Sequence, residues 1–193
     1  MQNSSERKKL VDRAISNIRE LFDGDVPTRE ILEQVKVELL ELAKKTHLFS
    51  FDAFPPPEAD DPRTSCLYRL SEDDDHRFAL YANVATAKVD APPHDHTTWA
   101  VIVGLHGEEE NKFYKKVDAG VEHIGGDVVR AGTGVTLMPD DLHSIHIAED
   151  AKVLNFHMYG LALEQLPGRN YWSAPKKEWR TFPAHTDIRE ARG

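Results

Sequence analysis

The chain has 193 residues and one cysteine, Cys66, so a single compact domain is expected and an intramolecular disulfide is excluded. A formal charge of -9, with an acidic run from Glu72 to Asp75 and no basic stripe, argues against nucleic acid and points to a small-molecule ligand or a protein partner. No stretch approaches the roughly 18 consecutive apolar residues of a membrane span, and the N-terminus opens on polar, charged residues, so a cytoplasmic protein is expected.

Residues 1–50 read as helical. Leu10, Val11, Ala14, Ile15, Ile18, Leu21 and Phe22 recur at helical spacing and stop before Gly24, a natural terminator. A second helix is expected after Pro27, with Thr28 as its N-cap and Ile31, Leu32, Val35, Leu39 and Leu42 as its apolar stripe. The proline-rich, acidic stretch from Phe51 to Pro62 is a connecting loop. A run of short segments follows, rich in β-branched and aromatic residues and separated by Gly, Pro and Asp: 65–70, 78–87, 99–105, 112–117, 127–130, 134–138 and 153–159. In the last of these, alternation places Asn155, His157 and Tyr159 on one face and Leu154, Phe156 and Met158 on the other. A strand so divided suits a small barrel, core residues 63–160, with a polar interior and an outer face covered by the two helices. The tail, 168–193, reads as mostly irregular and draped over the surface.

His94 and His96 stand two apart on the segment leading into the strand at Trp99, so extended geometry would turn both rings to one face, where they can share a metal. Alone the pair is a weak signal, since two histidines after Pro92 and Pro93 also suit an exposed turn. Further on, the stretch Met138-Pro-Asp-Asp-Leu-His143-Ser-Ile-His146 offers a Pro-led turn and a histidine entering another strand. Together the two segments resemble the paired motifs of the cupin superfamily, an all-β fold. The glutamate usual after the first motif is missing here, where Thr97, Thr98, Trp99, Ala100 and Val101 stand, so a three-histidine site without a carboxylate is expected.

The order Pro93-His-Asp-His96-Thr, Leu142-His143 and Asn155-Phe-His157-Met-Tyr159-Gly160 resembles the cysteine dioxygenase family of thiol dioxygenases. That resemblance implies Fe(II) held by His94, His96 and His143, with His146 competing for the third place. It also implies catalytic roles for Tyr159 and His157, with Asn155 standing where the family has serine. Val101 occupies about the place of the cysteine that some members crosslink to the tyrosine, so no crosslink is expected. The family's carboxylate-binding arginines have counterparts in Arg69 and Arg169, one of which or both would bind substrate. The implied partners are O2 and a small thiol such as cysteine, 3-mercaptopropionate or mercaptosuccinate. Another metal-dependent cupin chemistry, or a cupin that binds a small acid without turnover, competes with this reading, and the sequence leaves the oligomeric state open.

Overall fold

The computed structural model describes residues 2–22, 26–58, 60–86 and 88–191. Gly24, expected to end the first helix, and Ala87, expected to end the second strand, lie outside the described residues.

Helix α1 (Gln2–Glu20) buries Val11, Ala14, Ile15 and Ile18, and α2 (Arg29–Ala43) buries Leu32, Val35, Leu39 and Leu42, the two stripes that helical spacing selects. Thr28 caps α2, its hydroxyl accepting from the Ile31 N–H at 3.2 Å, a contact that contributes about 1 kcal/mol.

Twelve strands follow among the described residues: β1 (Ser65–Ser71), β2 (Arg77–Ala85), β3 (Val89–Asp90), β4 (Ala100–His106), β5 (Glu108–Val117), β6 (Gly120–Arg130), β7 (Gly134–Leu137), β8 (Leu142–Ile147), β9 (Val153–Leu161), β10 (Asn170–Ser173), β11 (Glu178–Thr181) and β12 (Ile188–Glu190). They form a six-stranded sheet ordered β12-β1-β2-β9-β4-β7, a four-stranded sheet ordered β3-β8-β5-β6, and the hairpin β10-β11. Polar contacts across the interior join the two larger sheets into an all-β barrel with the helices packed outside.

Strand β9 lies between β2 and β4, with His157 opposite Tyr81 on one side and Ile102 on the other. Its Leu154, Phe156 and Met158 join Val11, Ile15, Ile18, Leu32, Val35 and Leu39 in the core beneath the helices. Its other face turns Asn155, His157 and Tyr159 into the barrel, as alternation requires.

The tail departs from the irregular course expected of it. Trp172 and Trp179 face each other across the β10-β11 hairpin, and β12 adds a parallel edge strand beside β1. Each of these strands has only three or four residues and carries charged neighbours, so its alternation is too short to stand out in the sequence.

Phe156 is fully buried and meets Phe49 edge-on at 4.8 Å, so Phe156→Ala opens a cavity beneath the helices and is expected to cost about 3–5 kcal/mol, read as a lower urea midpoint at unchanged slope.

Candidate metal centre

The segment around His94 and strand β8 are joined by reciprocal backbone hydrogen bonds: the His94 N–H donates to the His143 carbonyl at 2.8 Å, and the His143 N–H to the His94 carbonyl at 3.0 Å. This pairing brings two histidines 49 positions apart in sequence into one layer, with ring centroids 4.6 Å apart. Immediately after His96 the chain turns through Thr97, a β-branched residue held at φ 56°, where a side chain costs about 1–3 kcal/mol and only surrounding structure can keep it. The turn sends the chain into β4 while the His96 ring stays against His143, at 4.9 Å.

Ligand-capable atoms of His94, His96 and His143 all lie within 4.8 Å of one another, a cluster able to bind a metal ion. The Nε2 atoms of His96 and His143 are 3.4 Å apart. Nitrogens bonded to one ion at about 2.1 Å stand roughly 3.0–3.4 Å apart for angles between about 90° and tetrahedral, so the spacing fits a shared cation. Three neutral imidazoles suit Fe, Zn, Cu and Ni alike. His94 Nδ1 is 2.9 Å from the Pro92 carbonyl and His143 Nδ1 is 2.8 Å from Asn111 Oδ1; an N–H donated at each leaves Nε2 bare. His96 Nδ1 has no partner among the described residues. Burial pushes His94 down to about 4, and holds His96 and His143 well below the usual histidine range, so the rings stay unprotonated at neutral pH.

His146 stands elsewhere. Its ring pairs with Asp90 at 2.6 Å and with Ser144 Oγ at 2.7 Å, toward the sheet edge formed by β3.

Beside the cluster, the Tyr159 ring lies 5.3 Å from His96, and its hydroxyl is 3.1 Å from His157 Nδ1. Burial raises the Tyr159 phenol, which therefore keeps its proton. Asn155, which the sequence places beside His157, instead donates its amide to Glu109 Oε2 at 3.0 Å; the side-chain amide of Asn83 is the neighbour of His157 Nε2, at 3.4 Å. Gly160 lets this strand pass the preceding turn, since a Cβ there would stand 2.4 Å from Trp99 Nε1. Trp99 itself is core, stacked on Phe22 at 5.2 Å.

A cavity of about 360 Å³ opens over the cluster, walled by His94, His96, Tyr159, Arg169, Phe182 and His185 among others. Arg169 reaches it because the tail is stitched to the histidine segment: Trp172 N–H donates to the Pro93 carbonyl at 2.8 Å, and the Asp95 carboxylate accepts from the Asn170 N–H at 2.9 Å. The Arg169 guanidinium lies over the Phe182 ring at 5.5 Å, and its Nε is buried with no partner among the described residues. Arg69 does not line the cavity. Its Nε lies 3.0 Å from Glu72, its Nη2 pairs with Glu164, and Glu164 in turn accepts from Tyr81 OH at 3.0 Å.

Five participants were not singled out by sequence reasoning, among them Asn83 on β2. Phe182 and His185 belong to the tail read as surface. Glu109 and Asn111 precede the strand start expected at Lys112; extending the period of β5 back by four residues would have turned both inward from between the exposed Glu108 and Glu110.

No protein-family model matches the chain, and no curated protein matches it. Among solved structures it is similar to oxalate oxidase in complex with the substrate analogue glycolate, at 15% identity over 67% of this chain and 68% of that one, TM-score 0.45. It is similar to an RmlC-like cupin protein from Ralstonia eutropha, at 18% identity over 65% of this chain and 72% of that one, TM-score 0.43. It is also similar to the polyketide cyclase RemF from Streptomyces resistomycificus, at 17% identity over 54% and 68% of the two chains, TM-score 0.38.

Loss of bound metal in His143→Ala with retention in His146→Ala, measured by elemental analysis after loading, is the expected outcome; the reverse pattern would move the centre to the sheet edge at Asp90.

Proposed function

We propose that this chain is a non-haem Fe(II) thiol dioxygenase that converts a small carboxylate-bearing thiol (3-mercaptopropionate, mercaptosuccinate or cysteine) and O2 into the sulfinate. The observation that supports it best is the meeting at one cavity of His94 and His96 of the three-histidine cluster, Tyr159 and Arg169, whose Nε has no partner among the described residues. His94, His96 and His143 would hold the ion, which when bound supplies a positive charge that favours the thiolate form and open positions for thiol and O2.

The chain's own groups then divide the remaining work. Arg169 grips the substrate carboxylate, its guanidinium kept flat by Phe182. Its charge is held in a half-buried site where water screens it little. The Tyr159 hydroxyl, fixed by His157, stands beside His96 as a hydrogen-bond donor to the reacting atoms. In balance, both oxygen atoms of O2 add to the sulfur of RSH and give RSO2H, with no other reductant consumed. Arg69, tied to Glu72 and Glu164, could bind carboxylate only if that ion pair opened, so Arg169 is the first candidate for this role. His185, kept neutral by burial on the same wall, offers a second polar contact for a dicarboxylic thiol.

O2 consumption by the Fe(II)-loaded protein against thiols bearing zero, one or two carboxylates, with sulfinate confirmed by mass, tests the reading. Uptake is expected only with carboxylate-bearing thiols. Arg169→Ala should raise KM roughly 10- to 100-fold at unchanged iron content. Tyr159→Phe should keep iron and lower kcat about 100-fold. No uptake with any thiol, together with a tightly held metal other than iron, would favour a small-acid-binding cupin instead.

A further inference from the structure

Strand β5 begins with three consecutive glutamates, and only the middle one, Glu109, is turned inward; it is fully buried, and among the described residues no other carboxylate is. A buried carboxyl group needs hydrogen-bond partners, and no lysine or arginine among the described residues supplies one. Its partners are two amides. Oε1 accepts from Asn111 Nδ2 at 2.9 Å, and Oε2 accepts from Asn155 Nδ2 at 3.0 Å, with His157 Nε2 at 3.9 Å from the same oxygen. Asn111 sits on the four-stranded sheet and Asn155 on the six-stranded one, so this carboxylate joins the sheets across the barrel interior.

The hydrogen-bond direction matters more than the contact. Both Glu109 oxygens accept from amide nitrogens, so Asn111 turns its Nδ2 toward Glu109 and its Oδ1 toward His143. An oxygen facing His143 Nδ1 requires a proton on that nitrogen, and the neutral ring is then bare at Nε2, the atom facing His96. Were Asn111 reversed, its NH2 would face Nδ1, the ring proton would move to Nε2, and the cluster would lose a lone pair.

We propose that Glu109 is a positioning residue that sets the tautomer of His143 through Asn111, while fixing the Asn155 amide on the opposite sheet. It thereby orders the metal-facing and tyrosine-facing halves of the cavity together. The effect on metal affinity rests on the three-histidine reading above; the effect on the tautomer rests on the hydrogen bonds alone.

Glu109→Gln tests both. Glutamine presents one acceptor oxygen and one donor nitrogen, so it cannot accept from Asn111 and Asn155 together, and one amide must reverse or go without a partner. The metal-free wild type should show the Nδ1–H form of His143 by nitrogen NMR, and Glu109→Gln should show the Nε2–H form or a mixture. Co(II), used as an air-stable probe, should bind Glu109→Gln about 10- to 100-fold more weakly. The double variant Glu109→Gln/Asn111→Asp reverses donor and acceptor: the introduced glutamine amide would donate to the introduced carboxylate, which again accepts from His143. It should restore the tautomer and most of the Co(II) affinity, a rescue that a merely space-filling role would not produce. If the single variant does not fold, a folded double variant with the Nδ1–H form sustains the proposal. An Nε2–H ring in the wild type, a tautomer unmoved in Glu109→Gln, or a folded double variant without the Nδ1–H form would overturn it. Wild type that binds no Co(II) yet shows the expected tautomers would instead count against the metal centre and leave the role of Glu109 standing.

Discussion

Strand β9 is buried from Val153 to Tyr159 and has neighbours on both edges, so each of its side chains must be accommodated without bulk water. Two incompatible environments meet on its two faces. Leu154, Phe156 and Met158 need apolar cover, which only the helices supply, and Asn155, His157 and Tyr159 need hydrogen-bond partners, which only the barrel interior supplies. A shift of one residue would exchange the faces, placing the imidazole and amide in the helical core and Phe156 among the histidines, so the register of β9 against β2 and β4 is strongly specified.

The interior polar groups are nearly all spoken for, and the exceptions are informative. His96 Nδ1, Asn155 Oδ1 and Arg169 Nε are buried without partners among the described residues. Two of these belong to residues walling the same cavity, and the third to the residue that contacts Glu109. A core of this volume filled with apolar side chains would be easier to stabilise; the polar one defines a single arrangement of rings and amides, because each hydrogen bond fixes the direction of the next. Pairing of His94 with His143 through the backbone, rather than through their rings, leaves the Nε2 atoms available for chemistry.

Much of this could be read in advance where a pattern was long or repeated. The helical stripes of α1 and α2, the alternation in β9 and the spacing of His94, His96 and His143 each involve several residues that agree with one another. The choice between His143 and His146 was not readable, since the strand puts them three apart and both follow the same turn; what separates them is Asp90 on a two-residue strand that captures the His146 ring. Glu109 was hidden because it stands in a run of glutamates whose neighbours are exposed, and charge runs are ordinarily solvated. The tail was hidden for a different reason: its place depends on Asp95 and Pro93, partners about 75 residues earlier, and no local pattern reports them.

That long-range attachment also sets an order of assembly. All strands of the two larger sheets except β12 precede residue 162, so the histidine cluster can form while one wall of its cavity is still being synthesised. Arg169, Phe182 and His185 come after it in the chain and complete the wall over His94 and His96. The wall that Arg169, Phe182 and His185 supply is thus the last part of the cavity to be made.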